Sequence, residues 1–191
     1  MGYNIAFFAS GSGSNVENIA NFFQKKPDFH LACIISNREN AYVHQRAQKL
    51  KIPSYSFTRE DFVEAKPIIE LLKEHQIDWI VLAGFLLKIP PALIAAFPNK
   101  IINIHPALLP KFGGKGMYGH HVHQAVVDAQ ESESGITIHY VNENYDEGSI
   151  IFQARCEVLP EDTADSLAEK IHALEYEYFP KVIEDLVLAT L

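Results

Sequence analysis

The sequence predicts an α/β fold with a doubly wound, mainly parallel sheet and an antiparallel addition near the carboxyl terminus. Short, nearly all-apolar runs alternate with amphipathic stretches as far as His105, as expected of buried parallel strands joined by helices. A glycine-rich turn follows the first of these runs and opens a helical pattern. No repeat, low-complexity tract or Ser/Gly/Pro linker divides the chain, so residues 1–191 are expected to form one domain.

Strands are predicted where the runs are short, apolar and rich in β-branched or aromatic residues. Such runs cover residues 5–9, 31–36, 80–84 and 101–105, with a shorter candidate at 54–57. The run at residues 136–141 alternates instead, and a turn at 146–148 separates it from the run at 150–152. This change of pattern predicts the antiparallel addition.

Helices are predicted where apolar residues recur with helical spacing. These stretches cover residues 15–24, 42–50, 68–75 and about 92–97, and the third has a fresh start at Pro67. A long terminal helix begins near Thr163 and runs to about Tyr178, where Pro180 is expected to end it before a last helical stretch.

Composition and charge exclude several classes of function. The formal net charge of −8 argues against a nucleic-acid-binding surface, which is normally basic. No apolar run reaches the roughly 18 residues that span a bilayer, and the amino terminus is typical of a strand rather than a secretory leader. Cys33 and Cys156 lie far apart in apolar runs and are expected to be buried thiols. We therefore expect a cytoplasmic protein with no membrane or nucleic-acid partner.

The glycine-rich turn at residues 9–15 is typical of an anion site, because glycines allow a tight turn and the helix start presents free amides. A dinucleotide site is disfavoured, since Val16 stands where a third glycine is required and no acidic residue follows the second strand. Arg38 leaves an NADP site open, because it could accept a 2′-phosphate. A capping box of Ser14 and Glu17 would explain the helix start without any ligand.

The end of the strand at residues 101–105 carries two polar side chains on one face, Asn103 and His105, and Pro106 ends the strand directly after them. Polar groups in such a place cost free energy unless they are paired or used. An imidazole there can move protons near neutral pH, and an amide can donate to an oxyanion. Asp146, on a later turn, could orient the imidazole and favour its protonated form. A structural histidine is the alternative. His139 either faces the same cleft or packs with its ring nitrogens bonded to backbone.

The glycine-rich segment at residues 111–119 is predicted to be a loop, either a lid or an ordinary surface loop. His120, His121 and His123 follow it, but neighbouring histidines rarely converge on one ion and no carboxylate or thiolate stands at ligand spacing. No metal site is therefore expected.

Taken together, these segments resemble the folate-dependent formyltransferases, a family with a Rossmann-like fold. The resemblance runs in order through nearly the whole chain, in segments 10–15, 82–85, 103–111, 135–141, 146–148 and 174–175. The Asn-x-His-Pro-x-Leu-Leu-Pro element at residues 103–110 is specific to the family as a group. The loop at residues 10–15 is similar to that of the members that formylate glycinamide ribonucleotide in purine (IMP) biosynthesis.

The resemblance implies a direct transfer of the formyl group of 10-formyltetrahydrofolate, a co-substrate, to a primary amine, without a metal. Asn103 and protonated His105 would stabilise the oxyanion, and Asp146 would raise the pKa of His105. Ribonucleotide-binding positions would be Gly13, Ser14, Asn15, His172 and Glu175. Folate-binding positions would be Arg59, Leu86, Leu87, Lys88, Ile89, Asn103, Asn142, Glu143, Asn144, Tyr145 and Asp146. Segment 112–119 looks longer than in many members of the family.

Other functions explain less of the pattern. A methionyl-tRNA formyltransferase would need a further carboxyl-terminal domain and a basic face, and a formyltetrahydrofolate hydrolase would need a further amino-terminal domain. An NADP-dependent reductase would leave Asn103, His105 and Asp146 without a shared role, and a non-catalytic binding module would not require that trio. The expected partners are the two small substrates, and the expected assembly is a monomer or a weak homodimer.

Overall fold

A seven-stranded sheet forms the centre of the computed structural model, which describes residues 2–189. The strands are β1 (Tyr3–Phe8), β2 (Phe29–Ser36), β3 (Ser54–Ser56), β4 (Trp79–Leu82), β5 (Ile101–His105), β6 (Glu133–Tyr140) and β7 (Ile150–Glu157). The helices are α1 (Ser14–Phe23), α2 (Val43–Leu50), α3 (Arg59–Glu64), α4 (Lys66–Glu74), α5 (Pro91–Ala96), α6 (His120–Asp128) and α7 (Ala164–Leu188).

The strand order is β3-β2-β1-β4-β5-β6-β7, in which β6 pairs antiparallel with both β5 and β7 and the other pairs are parallel. The prediction of a doubly wound, mainly parallel sheet with an antiparallel addition is therefore confirmed. The chain leaves β1 towards β2 on one side and returns to β4 on the other. In sheets of this kind a crevice opens at that point, outside the carboxyl ends of the strands.

Two apolar cores lie on opposite faces of the sheet, because successive strand residues point to opposite sides. In β1, Ile5 and Phe7 belong to the core that includes α1 and α7, whereas Ala6 and Phe8 belong to the core that includes α3 and α4. The buried strands lack alternation for this reason, as the sequence predicts.

The carboxyl-terminal helix differs from its prediction, because α7 continues through Pro180 to Leu188 without a break. A proline inside a helix leaves the carbonyl four residues earlier without its donor. Here that carbonyl belongs to Tyr176, and it accepts a hydrogen bond of 3.0 Å from Asn18 Nδ2 on α1. The helix continues because a neighbouring helix supplies the missing donor.

Three further local expectations are wrong. The capping box of Ser14 and Glu17 is absent, because Gly13 is the N-cap residue of α1 and no side chain caps it. A helix not predicted from the pattern, α3, begins at Thr58 with a capping box that pairs Thr58 and Asp61. Cys156 is only half-buried, whereas Cys33 is buried as expected, and both thiols are free.

Helix α7 has 25 residues. Nevertheless, no helix within residues 2–189 combines the length and the apolar character needed to span a membrane.

Candidate active site

Three loops meet where β1, β2 and β4 end, and Ser10 links them. Its hydroxyl donates to Asn37 Oδ1 at 2.5 Å and accepts from the backbone N–H of Leu86 at 2.9 Å. Its own N–H donates to the carbonyl of Gly84 at 3.0 Å. The loops after these three strands are therefore held in one arrangement at the crevice.

Four polar side chains share one face of the sheet at the paired strands β5 and β6. Asn103 lies opposite His139 in the antiparallel register, and His105 lies opposite Thr137. The residues between them on the two strands, Ile102, Ile104, Ile136 and Ile138, belong to the core on the other face. His105, Thr137 and His139 are each at most 3% exposed, so their polar atoms depend on protein partners or on ligand.

His105 and Asp146 come together although they are 41 positions apart in sequence. Nδ1 of His105 lies 3.6 Å from Oδ2 of Asp146, and Nε2 lies 2.8 Å from the carbonyl oxygen of Phe112. The same Asp146 oxygen accepts the backbone N–H of Gly114 at 2.9 Å. Both ring nitrogens of His105 thus face acceptors, an arrangement suited to a doubly protonated imidazole.

Burial has a larger effect on the pKa of His105 than the two acceptors beside its ring nitrogens. Removal from water lowers the pKa below its ordinary value of 6.5, while the charge of Asp146 and the Phe112 carbonyl raise it in part. The charge of Asp146 acts in the direction that the sequence-based prediction gives it, but the net pKa of His105 lies below 6.5. For Asp146, burial would raise the pKa, yet His139, His105 and the Gly114 amide together hold it below its ordinary value. Asp146 is therefore an anion at neutral pH.

His139 faces the cleft and also bonds to backbone, so both alternatives raised by its pattern hold. Its Nδ1 lies 2.9 Å from the carbonyl of Tyr140, which makes this nitrogen the donor. Nε2 lies 3.1 Å from Asn103 Nδ2 and 3.6 Å from Asp146 Oδ1, so it accepts the Asn103 hydrogen in the neutral ring and faces the Asp146 carboxylate when it carries a proton. One N–H of the Asn103 amide is thereby held, and its second N–H remains for a ligand.

The glycine loop between β1 and α1 has the form of an anion site. Gly13 has a φ of 70°, and an added Cβ would lie 2.3 Å from Val43 Cγ2, so this position requires glycine. The backbone N–H groups of Ser14 and Asn15 belong to the first turn of α1. Such groups have no partner within the helix and attract anions.

Helix α7 brings Glu175 beside this loop. The Glu175 carboxylate is only 6% exposed. Its Oε2 accepts a hydrogen bond of 2.9 Å from Asn15 Nδ2 and lies 3.3 Å from His172 Nδ1. The hydrogen bond between His172 and Glu175 raises the pKa of His172. All five sequence-predicted ribonucleotide positions therefore lie on two adjoining elements, α1 with its loop and α7.

A cleft lined by both apolar and polar side chains opens beside Asn103. Eight of the predicted folate positions line it, namely Leu87, Lys88, Ile89, Asn103, Asn142, Asn144, Tyr145 and Asp146. The other three, Arg59, Leu86 and Glu143, are not among its lining residues. Arg59 is exposed at the start of α3, and Leu86 binds Ser10 through its backbone. Asn103 and Asp146 line this cleft, while Glu175, which binds Asn15 of the glycine loop, acts on His105 through its charge.

Comparisons with known proteins agree with this geometry. The family model described as formyl transferase matches residues 3–183. The chain belongs to the formyl transferase family. A crystal structure of phosphoribosylglycinamide formyltransferase from Streptococcus pneumoniae TIGR4 is similar with a TM-score of 0.85 and 38% identity, over 97% of this chain and 99% of that one.

Curated relatives of this formyl transferase carry the same printed name. Phosphoribosylglycinamide formyltransferase from Bacillus subtilis (strain 168) is 37% identical over 95% of this chain and 93% of the relative. The chloroplastic protein of that name from Arabidopsis thaliana is 36% identical over 94% of this chain. The chain spans 63% of the length of that plant relative.

Some residues that line the cleft could not be assigned to it from the sequence. They are Leu82, Phe85 and Val141, together with His139, whose pattern allowed two positions. Val141 directly follows β6, and Phe85 lies three residues after the end of β4, so their place near the strand ends was a signal in the sequence. Arg46 is a further missed residue: its Nε donates to the carbonyl of Ser12 at 2.8 Å, and no local pattern in the sequence pointed to it.

The histidine cluster of the formyl transferase is dispersed on α6. His120 Nε2 lies 3.4 Å from Asp165 Oδ1, His121 packs edge-on against Tyr118, and His123 is buried with Nδ1 lacking a hydrogen-bond partner. No group of three or more His, Cys, Asp or Glu side chains within residues 2–189 is placed to hold a metal ion.

Proposed function

We propose that this chain transfers the formyl group of 10-formyltetrahydrofolate to the primary amine of glycinamide ribonucleotide, a step of purine biosynthesis. The amine nitrogen attacks the formyl carbon and a tetrahedral intermediate forms. Its collapse breaks the bond to the folate nitrogen. One proton leaves the amine, one reaches the folate nitrogen, and no acyl-enzyme is formed.

The observation that carries the proposal is the Asn103, His105 and Asp146 group, which forms part of the cleft and is coupled by charge to Glu175 beside the glycine loop. The free N–H of Asn103 donates to the developing oxyanion, and the imidazolium of His105 adds positive charge beside it. Asp146 favours the charged form of His105. An oxyanion next to His105 opposes the effect of burial on its pKa, so the charged form is favoured most in the transition state.

We assign the glycine loop and α7 to the ribonucleotide. Gly13, Ser14 and Asn15 hold its phosphate through backbone amides at the start of α1. The buried carboxylate of Glu175 accepts from ribose hydroxyls, which charge-assisted hydrogen bonds make favourable. His172, which is exposed and paired with Glu175, adds a polar contact.

We assign the cleft beside Asn103 to the folate. Leu87 and Ile89 offer hydrocarbon to a flat pterin ring, and open backbone groups around Lys88 can bond to its edge. The loop that contains Asn142, Asn144, Tyr145 and Asp146 forms the opposite wall. Arg59, Leu86 and Glu143 stay predictions for the outer part of the folate.

We further infer a single domain over residues 1–191, because both apolar cores share one sheet. The free thiols of Cys33 and Cys156 fit a reducing compartment such as the cytoplasm. A monomer or weak homodimer is the inferred assembly, and sedimentation of the purified protein over a range of concentrations tests it.

A formyl-transfer assay with both substrates tests the proposed function. His105→Ala and Asp146→Ala are each expected to lower turnover by roughly 100-fold or more. The ribonucleotide dissociation constant should stay within about threefold of the wild-type value, because neither residue lies on the phosphate loop. Titration calorimetry measures it.

Matched controls are His30→Ala and Asp28→Ala, since both residues are exposed and lie at the amino end of β2, away from the carboxyl ends of the strands where the site lies. These variants should keep wild-type turnover. Near-normal turnover in His105→Ala or Asp146→Ala would remove that residue from the mechanism. Tight NADPH binding without any response to glycinamide ribonucleotide would overturn the proposed function as a whole.

A further inference from the structure

The first turn of α2 packs directly against the glycine loop and binds two of its carbonyls. The backbone N–H of Val43 donates to the Gly11 carbonyl at 3.1 Å. Nε of Arg46 donates to the Ser12 carbonyl at 2.8 Å. The Val43 side chain also occupies the space that a Cβ at Gly13 would need. Helix α2 therefore shapes the loop from the side away from the ligand.

These two hydrogen bonds determine where the loop amides point. In a trans peptide the C=O and the following N–H point in opposite directions, and Leu109-Pro110 is the one cis bond within residues 2–189. The Gly11 and Ser12 carbonyls point towards α2, so the N–H groups of Ser12 and Gly13 point away from it. A reversed peptide would instead place a carbonyl oxygen in the anion site, where it repels a phosphate.

We propose that Arg46 is a positioning residue for ribonucleotide binding, which holds the Ser12–Gly13 peptide so that its N–H faces the phosphate. This inference rests on the proposed function for the identity of the ligand. Arg46 acts through the Ser12 carbonyl, and no contact between its side chain and the phosphate is required.

The charge of Arg46 is already balanced, so orientation rather than net charge is its contribution. Its Nη1 forms an ion pair with Glu17 on α1, and its guanidinium lies 5.1 Å from the ring centroid of Tyr42. The ring of Tyr42 packs against the planar guanidinium and holds it in place with Nε directed at Ser12. Because Glu17 neutralises the charge, long-range attraction of an anion to Arg46 is weak.

Steady-state kinetics of Arg46→Met test the inference. Loss of a charged hydrogen bond that orders the loop should raise KM for the ribonucleotide by about tenfold to a hundredfold. KM for 10-formyltetrahydrofolate and kcat should each change by less than about threefold, since the folate cleft and the catalytic group are untouched. Equal rises in both KM values, or a fall in kcat alone, would overturn the inference.

Two companion variants separate the carbonyl contact from the ion pair. Glu17→Gln removes the ion pair but leaves the Arg46 bond to Ser12, and its ribonucleotide KM should stay within about threefold of wild type. A rise equal to that of Arg46→Met would show that the ion pair matters instead, which contradicts the inference. Arg46→Lys keeps a donor without the rigid fork, and about a threefold rise is expected. If Arg46→Met does not fold, an unchanged KM in Arg46→Lys overturns the inference.

Inorganic phosphate is a probe that needs no turnover. Its binding should raise the melting temperature of the wild-type protein, and Arg46→Met should lose most of that shift while Glu17→Gln keeps it. Equal shifts in wild type and Arg46→Met would overturn the role of Arg46 while the proposed function stands. If the wild-type protein shows no formyl transfer but only Arg46→Met loses the phosphate shift, the proposed function is overturned while the role of Arg46 stands.

Discussion

His105 is held between two opposing influences on its protonation. Burial lowers its pKa, and the carboxylate of Asp146, 3.6 Å from Nδ1, raises it. Burial disfavours the cation that the proposed mechanism needs, so His105 depends strongly on its counter-ion. The role of Asp146 is therefore electrostatic, and it should be visible in the pH dependence of the reaction.

Asp146→Asn should move the lower inflection of the pH profile of kcat/KM to lower pH. The active form pairs protonated His105 with a neutral substrate amine, and the ordinary pKa of such an amine, about 8, lies above that of His105. The lower inflection, where kcat/KM stops rising, therefore belongs to His105, and removing the Asp146 charge lowers its pKa further. The profile of kcat/KM reports groups of the free enzyme and the free substrate. The upper inflection, which belongs to the amine, should stay in place. An unmoved lower inflection would show that His105 does not act as a cation.

Ser14 and Asn15 are assigned to the ribonucleotide in the proposed function, and neither lines the cleft assigned to the folate. Ser14→Pro removes a backbone N–H at the first position of α1, where proline is otherwise tolerated. Asn15→Leu removes the hydrogen bond to Glu175. Each change should weaken ribonucleotide binding by about tenfold, the scale of one charged hydrogen bond, with folate binding nearly unchanged. Equal losses for the two ligands, measured by calorimetry, would place the phosphate elsewhere.

At the scale of elements, hydrogen bonds of single side chains attach loops and helices to parts of the chain that are distant in sequence. Thr137 Oγ1 donates to the Ala107 carbonyl at 2.7 Å and accepts from the Leu109 N–H at 3.0 Å, and Gln153 Nε2 adds bonds to Thr137 and to the Leu109 carbonyl. This buried network attaches the loop after β5 to β6 and β7. The position of Phe112, and with it the bond to His105, depends on elements outside the catalytic strand.

The continuity of α7 through Pro180 gives a double-mutant test of one such contact. Asn18→Ala should cost about 1 kcal/mol in the free energy of unfolding, because the Tyr176 carbonyl loses its donor. In a Pro180→Ala background the restored helical N–H binds that carbonyl, and Asn18→Ala should cost much less. Urea unfolding of the four proteins measures the difference. Additive effects would mean that Asn18 does not substitute for the missing donor.

For the molecule as a whole, what could be predicted from the sequence was local or carried by short motifs. Apolar runs located β1, β2, β4 and β5, and the Asn103 to Pro106 element pointed to the end of β5 as the candidate site. Contacts between distant segments could not be predicted in this way. No pattern around Arg46 indicates its contact with Ser12, and none around Asn18 indicates its contact with Tyr176. The net pKa of His105 also depends on burial by loops whose path is set by tertiary packing.

The same burial makes the stability of the whole molecule sensitive to acid. His105 and His123 both have a pKa below 6.5 because they are buried, so the unfolded chain takes up protons at a higher pH than the folded one. Stability therefore rises with pH between the lowered pKa values and 6.5. The lowered pKa of Asp146 acts in the same direction at lower pH, while the raised pKa of His172 removes stability as pH rises through it.

His123→Leu isolates one part of this dependence, since the side chain is 4% exposed and its Nδ1 has no hydrogen-bond partner. The free energy of unfolding, measured with urea at a series of pH values from about 5 to 8, should rise less steeply below 6.5 in this variant. The partner for comparison is His30→Leu, in which an exposed histidine is lost and the slope should stay wild-type. Because His105 still titrates in both proteins, part of the slope should remain in His123→Leu. Identical slopes in all three proteins would mean that the buried imidazole of His123 is not what opposes protonation of the folded state.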